Sequence, residues 1–331
     1  MIGIVILNYR NWEDTKRCVE SIFRNPPKDV YKIILVDNAS NREPDFELSS
    51  FLEAYQIVFV RNARNLGYNA GNNVGIRLAL ELGCSHILLS NNDVCYLPRS
   101  IQTMSDYLSG HSKAGIVGPK ILDRNGQVQK SNLCRKTGMK EKYMVRTRAN
   151  ILFRRQCRTY FGCDRDYEQI YRVYAVLGCC FMMSGRCAQA IMPLDEHPFL
   201  YEEELILGIR MEEQGFATVY HPGAVVRHLH GGSTRQQKAF AFAHNVRSEI
   251  YYCRKYLHAT KWQIYPLYLY RVLLYLARCF RYKDFRRRWR WFLKMTGEEF
   301  HVTLQEDHSM DMQPGRSRKS PEHMEKTQTK A

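Results

Sequence analysis

Four short apolar runs, at residues 4–7, 33–36, 57–60 and 87–89, each end in turn-forming or polar residues and alternate with segments of helical periodicity. No other feature constrains the first 125 residues as strongly. Runs that are apolar at successive positions, rather than alternate ones, belong to strands covered on both faces. Helices between them predict a largely parallel sheet, so the fold class is α/β. The first helix is expected to start at Asn11 as N-cap, with Glu13 and Asp14 in its first turn. It places Cys18, Val19, Ile22 and Phe23 on one face and stops at Asn25, Pro26 and Pro27. A second is expected over residues 69–82, ended by Gly83. A third runs from Pro98 to near Gly110 and buries Ile101, Met104 and Leu108.

Ligands of such sheets bind beyond the carboxyl ends of the strands, so the residues standing there matter most. Asn8 and Tyr9 follow the first strand, Asp37 and Asn38 the second, and Asn91, Asn92 and Asp93 the fourth. The first strand runs into N-Y-R-N-W, with neither a G-x-G-x-x-G turn nor a Walker loop. That disfavours a dinucleotide-dependent dehydrogenase and a P-loop enzyme. Asp37 reads either as a turn aspartate or as a carboxylate accepting from a pyrimidine imide N–H or a ribose hydroxyl. Asn91-Asn92-Asp93 is a good turn sequence, yet it also stands where a metal–diphosphate site is expected. A single carboxylate can hold Mg²⁺ or Mn²⁺ there if substrate phosphates complete the oxygen shell.

Three further clusters stand out. Residues 65–75 read N-L-G-Y-N-A-G-N-N-V-G, where Gly71 and Gly75 lie four apart on the expected helix and permit close approach of another backbone or a ligand. Glu202, Glu203 and Glu204 open a helix behind Phe199, Leu200 and Tyr201. The helix dipole alone favours acids in a first turn. Three in a row also raise one another's pKa, as a general base requires. His228 and His230 face the same way on an extended chain. They are a surface pair or a diphosphate or metal contact, with Gly231 and Gly232 letting the backbone close in.

The remainder is organised more loosely. Residues 125–172 form a basic, irregular stretch expected to be a variable loop. An apolar run over 173–184 contains Gly178, a helix is expected over 203–213 with Gly215 at its end, and a strand over 217–220. Eleven scattered cysteines without a C-x-x-C pair read as buried thiols of a reducing compartment, not a disulfide framework or zinc ribbon. The chain opens directly into a core strand, with no signal-peptide pattern. No apolar stretch reaches the roughly 18 residues of a spanning helix. The net charge of +16 calls for an anionic partner: nucleic acid, an acidic membrane surface or a phosphorylated ligand. Between Arg271 and Lys294 there are nine basic residues and one acidic, with Trp and Phe interleaved. Such a stretch lies on an anionic bilayer more readily than it spans one.

Taken in order, eight segments resemble a family 2 glycosyltransferase of the inverting, nucleotide-diphospho-sugar-dependent type, closest to rhamnosyltransferase-like enzymes of bacterial capsule or O-antigen synthesis. They are V-I-L-N-Y (5–9), V-D-N-A-S (36–40), the 65–75 segment, N-N-D (91–93), G-P-K-I (118–121), F-L-Y-E-E-E (199–204), R-M-E-E-Q-G-F (210–216) and H-L-H-G-G-S (228–233). The resemblance implies a GT-A fold over residues 1–245; beyond it, composition predicts a basic aromatic amphipathic helical segment over 246–300 that associates with membrane, and a polar, disordered tail over 301–331. The resemblance implies that Asn8, Tyr9 and Asp37 hold the nucleobase and ribose, and that Asn65 and Gly67 to Gly71 line the nucleotide pocket with Asn92. Asp93 becomes the surviving carboxylate of the family's D-x-D motif, Glu203 and Glu204 the pair that includes the catalytic base, and His228 a contact to the metal or the leaving diphosphate. Asn91 replaces the motif's first aspartate, Glu204 stands where Asp is common, and Ile206 where relatives are often acidic.

The implied cofactor is Mg²⁺ or Mn²⁺, and the implied substrates are a UDP- or dTDP-sugar and a saccharide acceptor, lipid-linked in such systems. The expected location is the cytoplasmic face of the inner or plasma membrane, reached through the C-terminal segment. Two rivals are weaker. A sugar-phosphate nucleotidyltransferase carries a Gly-rich basic loop after its first strand, which is missing here. A non-enzymatic nucleic-acid- or membrane-binding protein accounts for the charge, but no nucleic-acid module is present.

Overall fold

The computed structural model describes residues 1–130, 135–229 and 238–302. Its first half follows the alternation of the sequence: β1 (Ile2–Asn8), α1 (Trp12–Arg24), β2 (Tyr31–Asp37), α2 (Leu48–Ala54), β3 (Val58–Arg61), α3 (Tyr68–Glu81), β4 (His86–Asn91), β5 (Val94–Tyr96), α4 (Ser100–Gly110) and β6 (Ala114–Leu122). Asn11 caps α1 as expected, its side chain accepting from the Asp14 N–H. Gly83 takes the left-handed conformation after α3, at φ +74°. The four first strands are parallel where they pair, in the order β3-β2-β1-β4. Along them, Ile4, Ile6, Leu35 and Leu88 fill one face, while Val5, Ile34, Val36, Ile87 and Leu89 fill the other. That two-sided burial is why the runs are continuously apolar.

The second half extends this sheet. It comprises α5 (Met139–Arg146), a 3₁₀ turn (Arg148–Ile151), α6 (Arg154–Tyr160), β7 (Tyr171–Val173), β8 (Cys180–Ser184), α7 (Gly185–Ile191), α8 (Glu203–Glu213) and β9 (Ala217–His228). The sheet continues β4-β8-β6-β9-β5, with β7 also on β9. β8 runs antiparallel to β4 and β6, and β5 antiparallel to β9. The stretch expected as an irregular loop thus contains two helices. β9 is three times the length foreseen, because its far half pairs with the short β5, whose three residues are too few to show a period.

Register brings the polar strand ends together. Asn8 pairs with Asp37 across β1 and β2, and Leu7 with Asn91 across β1 and β4. The Asn91 N–H donates to the Cys179 carbonyl at 2.8 Å, and Val94 pairs with His228.

Beyond β9 come α9 (Lys238–Tyr251), a π-helical turn (Tyr252–Tyr256), α10 (Lys261–Arg281), α11 (Lys283–Arg287) and α12 (Trp289–His301). Residue 245 lies inside α9, and the C-terminal helices share a core with Leu205, Ile206 and Ile209 of α8. Tyr275 of α10 stacks on Phe292 of α12 at 3.9 Å. The basic aromatic segment is therefore half interior: Ile264, Leu267, Tyr275, Phe285 and Phe292 are buried. Residues 303–331, expected to be a tail, lie outside the described residues, as do His230, Gly231 and Gly232.

Glu299 of α12 fastens this layer. It meets Arg247 at 3.0 Å, Arg254 at 2.6 Å and His197 at 2.8 Å. Burial pushes its carboxyl up, but His197 and the two guanidinium groups outweigh burial and hold it well below the usual carboxylate range. A depressed carboxyl contributes stability that is complete above its unfolded pKa and lost as pH falls toward its folded one. The melting temperature is therefore expected to drop below the ordinary glutamate value of 4.5. Glu299→Gln should start lower and show a shallower acid decline, as thermal melts across pH would register.

Candidate active site

The first layer of the site is a lattice of carboxamides at the ends of β1, β2 and β4. Asn8 is fully buried; its amide donates to Asp37 at 3.0 Å and Ser40 at 3.3 Å, and its carbonyl oxygen accepts from Thr15 and Asn92, both at 3.0 Å. The Asn92 amide also reaches the Asn11 carbonyl at 2.8 Å. Asp37 accepts from Asn8, from the Ser40 hydroxyl at 2.5 Å and from Arg61 Nε at 3.0 Å, with the Ser40 N–H at 3.3 Å. A carboxylate offers about four acceptor directions, and these four donors use them. Asn8, Asp37 and Asn92 thus converge as expected, but their polar atoms are spent on one another. Tyr9, partly exposed beneath the Arg10 guanidinium at 4.6 Å, remains at the surface of this layer.

The 65–75 segment also turns inward. Gly67 has φ +86°, and a Cβ there would lie 2.6 Å from the Phe199 carbonyl oxygen. One on Gly71 would lie 2.7 Å from Leu7 Cδ1. Asn65 accepts from Asn38 at 2.9 Å and from the Gly67 N–H at 3.0 Å. Asn69 donates to the Asp195 carbonyl at 2.7 Å, Asn73 to the Leu194 carbonyl at 2.9 Å, and the Tyr68 N–H to the Phe199 carbonyl at 3.0 Å. This motif straps residues 194–199 to the sheet. That strap leads straight into the glutamates.

At the start of α8 the backbone is strained: Tyr201 and Glu202 have φ +73° and +68°. Glu202 is held by Lys142, whose ammonium lies 2.6 Å from both carboxylate oxygens; Lys142 is 1% exposed. Glu249 and Arg146 complete the cluster, with Arg271 at 3.1 Å from Glu249. Glu202 is thereby committed, and the next two residues are the ones left to act. Glu204 accepts from the Gly178 N–H at 3.2 Å, while Glu203 Oε2 is sealed from solvent without a partner. Both carboxyls are pushed up. Burial is the main cause for each; the Glu204 charge adds to it at Glu203, and the Gly178 N–H opposes it at Glu204. Tyr68 donates its phenol to the Gly178 carbonyl, and both glutamates together with Gly178 line a small cavity with Asn69, Leu194 and Arg210.

Gly178 and Cys179 link them to the end of β4: Glu204 accepts from the Gly178 N–H, and the Cys179 carbonyl accepts from the Asn91 N–H, two residues before Asp93. Asp93 Oδ1 lies 3.2 Å from His228 Nε2, and the Asp93 carbonyl accepts from the Leu229 N–H at 2.9 Å. Asp93 and His228 thus lie side by side. Among the described residues no three His, Cys, Asp or Glu side chains group to enclose a metal. One carboxylate and one imidazole suit a divalent cation whose other ligands come from a diphosphate.

Residues 3–168 match the model of glycosyl transferase family 2. The chain belongs to that family. It is 27% identical over 208 residues to the low-salt glycan biosynthesis hexosyltransferase Agl10 of Haloferax volcanii, covering 62% of this chain and 59% of that protein. It is 24% identical over 262 residues to an N-acetylglucosaminyl-diphospho-decaprenol L-rhamnosyltransferase of Mycobacterium tuberculosis, covering 75% of this chain and 82% of that protein. A crystal structure of GalNAc-T7 with UDP, GalNAc and Mn²⁺ superposes with a TM-score of 0.53 at 15% identity, over 70% of this chain and 43% of that one. The shared fold is the GT-A type.

Sequence reasoning missed Lys142, Asn38, Arg61 and Gly178. Asn38 was quoted in V-D-N-A-S without a role, and it donates to Asn65 and the Gly67 carbonyl while accepting from Asn62 and Leu66. Lys142 carried no signal, since it is one of many bases in an irregular stretch. Replacing Lys142 with Met leaves Glu202 without its bidentate partner. Lys142→Met is expected to lose about 3–5 kcal/mol of stability, read by denaturant unfolding, and Lys142→Arg to recover part of it.

Proposed function

We propose that this family 2 glycosyltransferase moves a sugar from a UDP- or dTDP-sugar to a saccharide acceptor with inversion at the anomeric carbon, in the synthesis of a cell-surface polysaccharide. The observation that carries the reading is the pair Glu203–Glu204, lining a cavity with Gly178 while the adjacent Cys179 carbonyl is bonded to Asn91, two residues before Asp93. Of the two, Glu204 has the N–H that favours its charged form, and we assign it as the base. Glu203, sealed and unpartnered, keeps its proton longer. Glu204 takes the proton of an acceptor hydroxyl as that oxygen bonds to the anomeric carbon. The bond from that carbon to the diphosphate breaks on the opposite face, and its electron pair leaves with the nucleoside diphosphate.

Asp93 and His228 would hold Mg²⁺ or Mn²⁺, which when bound offsets the charge of the leaving diphosphate. Tyr9 is a half-buried ring just beyond the end of β1, where the nucleoside would lie. The carboxamide lattice beneath keeps that floor rigid. The mycobacterial relative's name specifies a diphospho-decaprenol saccharide, which supports a lipid-linked acceptor here as well.

No helix among the described residues is long and apolar enough to cross a membrane. α10 nevertheless exposes Trp262, Tyr265, Leu269, Leu273 and Phe280 at three-, four- and seven-residue spacings, with Trp262 84% and Phe280 86% exposed. Arg281, Lys283, Arg286, Arg287 and Arg290 follow, all exposed. This face suits peripheral contact with the anionic cytoplasmic face of a membrane.

Glu204→Gln is expected to lower kcat by about 10²–10⁴-fold while leaving nucleotide binding unchanged. Glu203→Gln should cost less. Turnover should rise with pH through a pKa above the ordinary carboxylate range, since the base acts deprotonated. Full activity of Glu204→Gln in a nucleotide-sugar transfer assay would remove it from the role.

A further inference from the structure

The turn between α5 and α6 carries a surface that the transfer reaction does not use. Ile151, Leu152 and Phe153 are consecutive and 57%, 83% and 44% exposed. Three exposed apolar residues in a row at a chain reversal do nothing for the core. Around them the charge is one-sided. Residues 139–161 hold seven basic side chains and one acidic, Glu141. Arg148, Arg154 and Arg155 are exposed and have no carboxylate partner among the described residues; nearby Arg158 pairs with Asp164.

The turn is rooted firmly. At its base Lys142 and Arg146 enter the buried cluster with Glu202 and Glu249, and Cys157 and Tyr160 of α6 are buried, the Tyr160 hydroxyl lying 2.8 Å from that of Thr137. Tyr143 donates to the Gln263 carbonyl at 2.5 Å, which sets α5 against the start of α10, next in sequence to the exposed Trp262. An apolar apex on a braced stalk, collared by unpaired guanidinium groups, is a shape with a purpose.

We propose that residues 148–155 form a docking tip for a lipid bilayer bearing anionic headgroups. Ile151, Leu152 and Phe153 enter the boundary between headgroups and acyl chains, while Arg148, Arg154 and Arg155 bind lipid phosphates. The two layers of the tip match the two layers of the bilayer surface. A nucleic acid would answer the arginines but not the apolar apex. The tip is separate from the α10 face: it lies in a different part of the chain and rests on its own exposed residues. Together the two surfaces would fix how the active site faces the membrane.

The test uses the full chain and sedimentation with vesicles of phosphatidylcholine alone or mixed with phosphatidylglycerol. Wild type is expected to prefer the anionic vesicles. Each basic residue near such a surface contributes about fivefold in partitioning, so Arg154→Glu with Arg155→Glu should weaken it by at least about tenfold. Leu152→Ser with Phe153→Ser should weaken binding while keeping the preference for anionic lipid. Both double variants should melt as wild type and transfer sugar to a water-soluble acceptor at the wild-type rate, which separates this proposal from the reading of the active site. Hydrogen–deuterium exchange should show protection of 148–155 when vesicles are added. Wild-type partitioning by either double variant, or unchanged exchange at 148–155 while the protein is vesicle-bound, overturns the tip. So does a wild type indifferent to anionic lipid.

Discussion

The bond between Lys142 and Glu202 is the constraint on which the rest of the architecture leans. Both side chains are almost wholly buried, and an ammonium or a carboxylate left alone there would cost several kcal/mol. Lys142 comes from α5, Glu202 from the entry to α8, Glu249 from α9 and Arg271 from α10. One cluster of charges thus joins four elements that also share an apolar core. It also stabilises two consecutive non-glycine residues in the left-handed region, Tyr201 and Glu202. Relaxing them would turn the first turn of α8, and with it Glu203 and Glu204.

A division of labour follows among the polar residues. Asn8, Asp37, Asn92, Asn38, Asn65, Asn69 and Asn73 all bond to other parts of the protein, and so form a frame. It joins three strand ends and the 194–199 strap alongside the packing of Leu7, Leu194 and Phe199. The proposed reaction calls on side chains outside this frame: the two glutamates, the Asp93–His228 pair and Tyr9. A site that must bind a diphosphate and move one proton needs little more, provided the frame does not move.

The sheet was legible because two-sided burial writes itself as continuous apolar runs, and the Asn11 cap and Gly83 stop are local signals. Glu203, Glu204, Asp93 and His228 were legible as types in the right order, and the structure puts Asp93 beside His228 and the glutamates nearby. The packing contacts of Gly67 and Gly71, and the bonds of Asn65 and Asn92, were not. A glycine or asparagine needed for close packing looks the same in sequence as one needed for a ligand, and only the neighbouring atoms, Phe199 and Leu7, tell them apart. Lys142 was invisible for the opposite reason: a buried lysine is defined by partners 60 and 107 residues away, Glu202 and Glu249. The C-terminal helices read as one amphipathic face because their buried and exposed apolar residues are interleaved along the same turns.

Titration calorimetry of UDP and dTDP, each with and without Mn²⁺, tests the central claim most directly, on wild type and on Asp93→Ala. The account expects one pyrimidine diphosphate to bind wild type far more tightly with Mn²⁺, and Asp93→Ala to lose that metal-dependent gain. A folded wild type that binds neither nucleotide, or an Asp93→Ala protein whose metal dependence is intact, would contradict it.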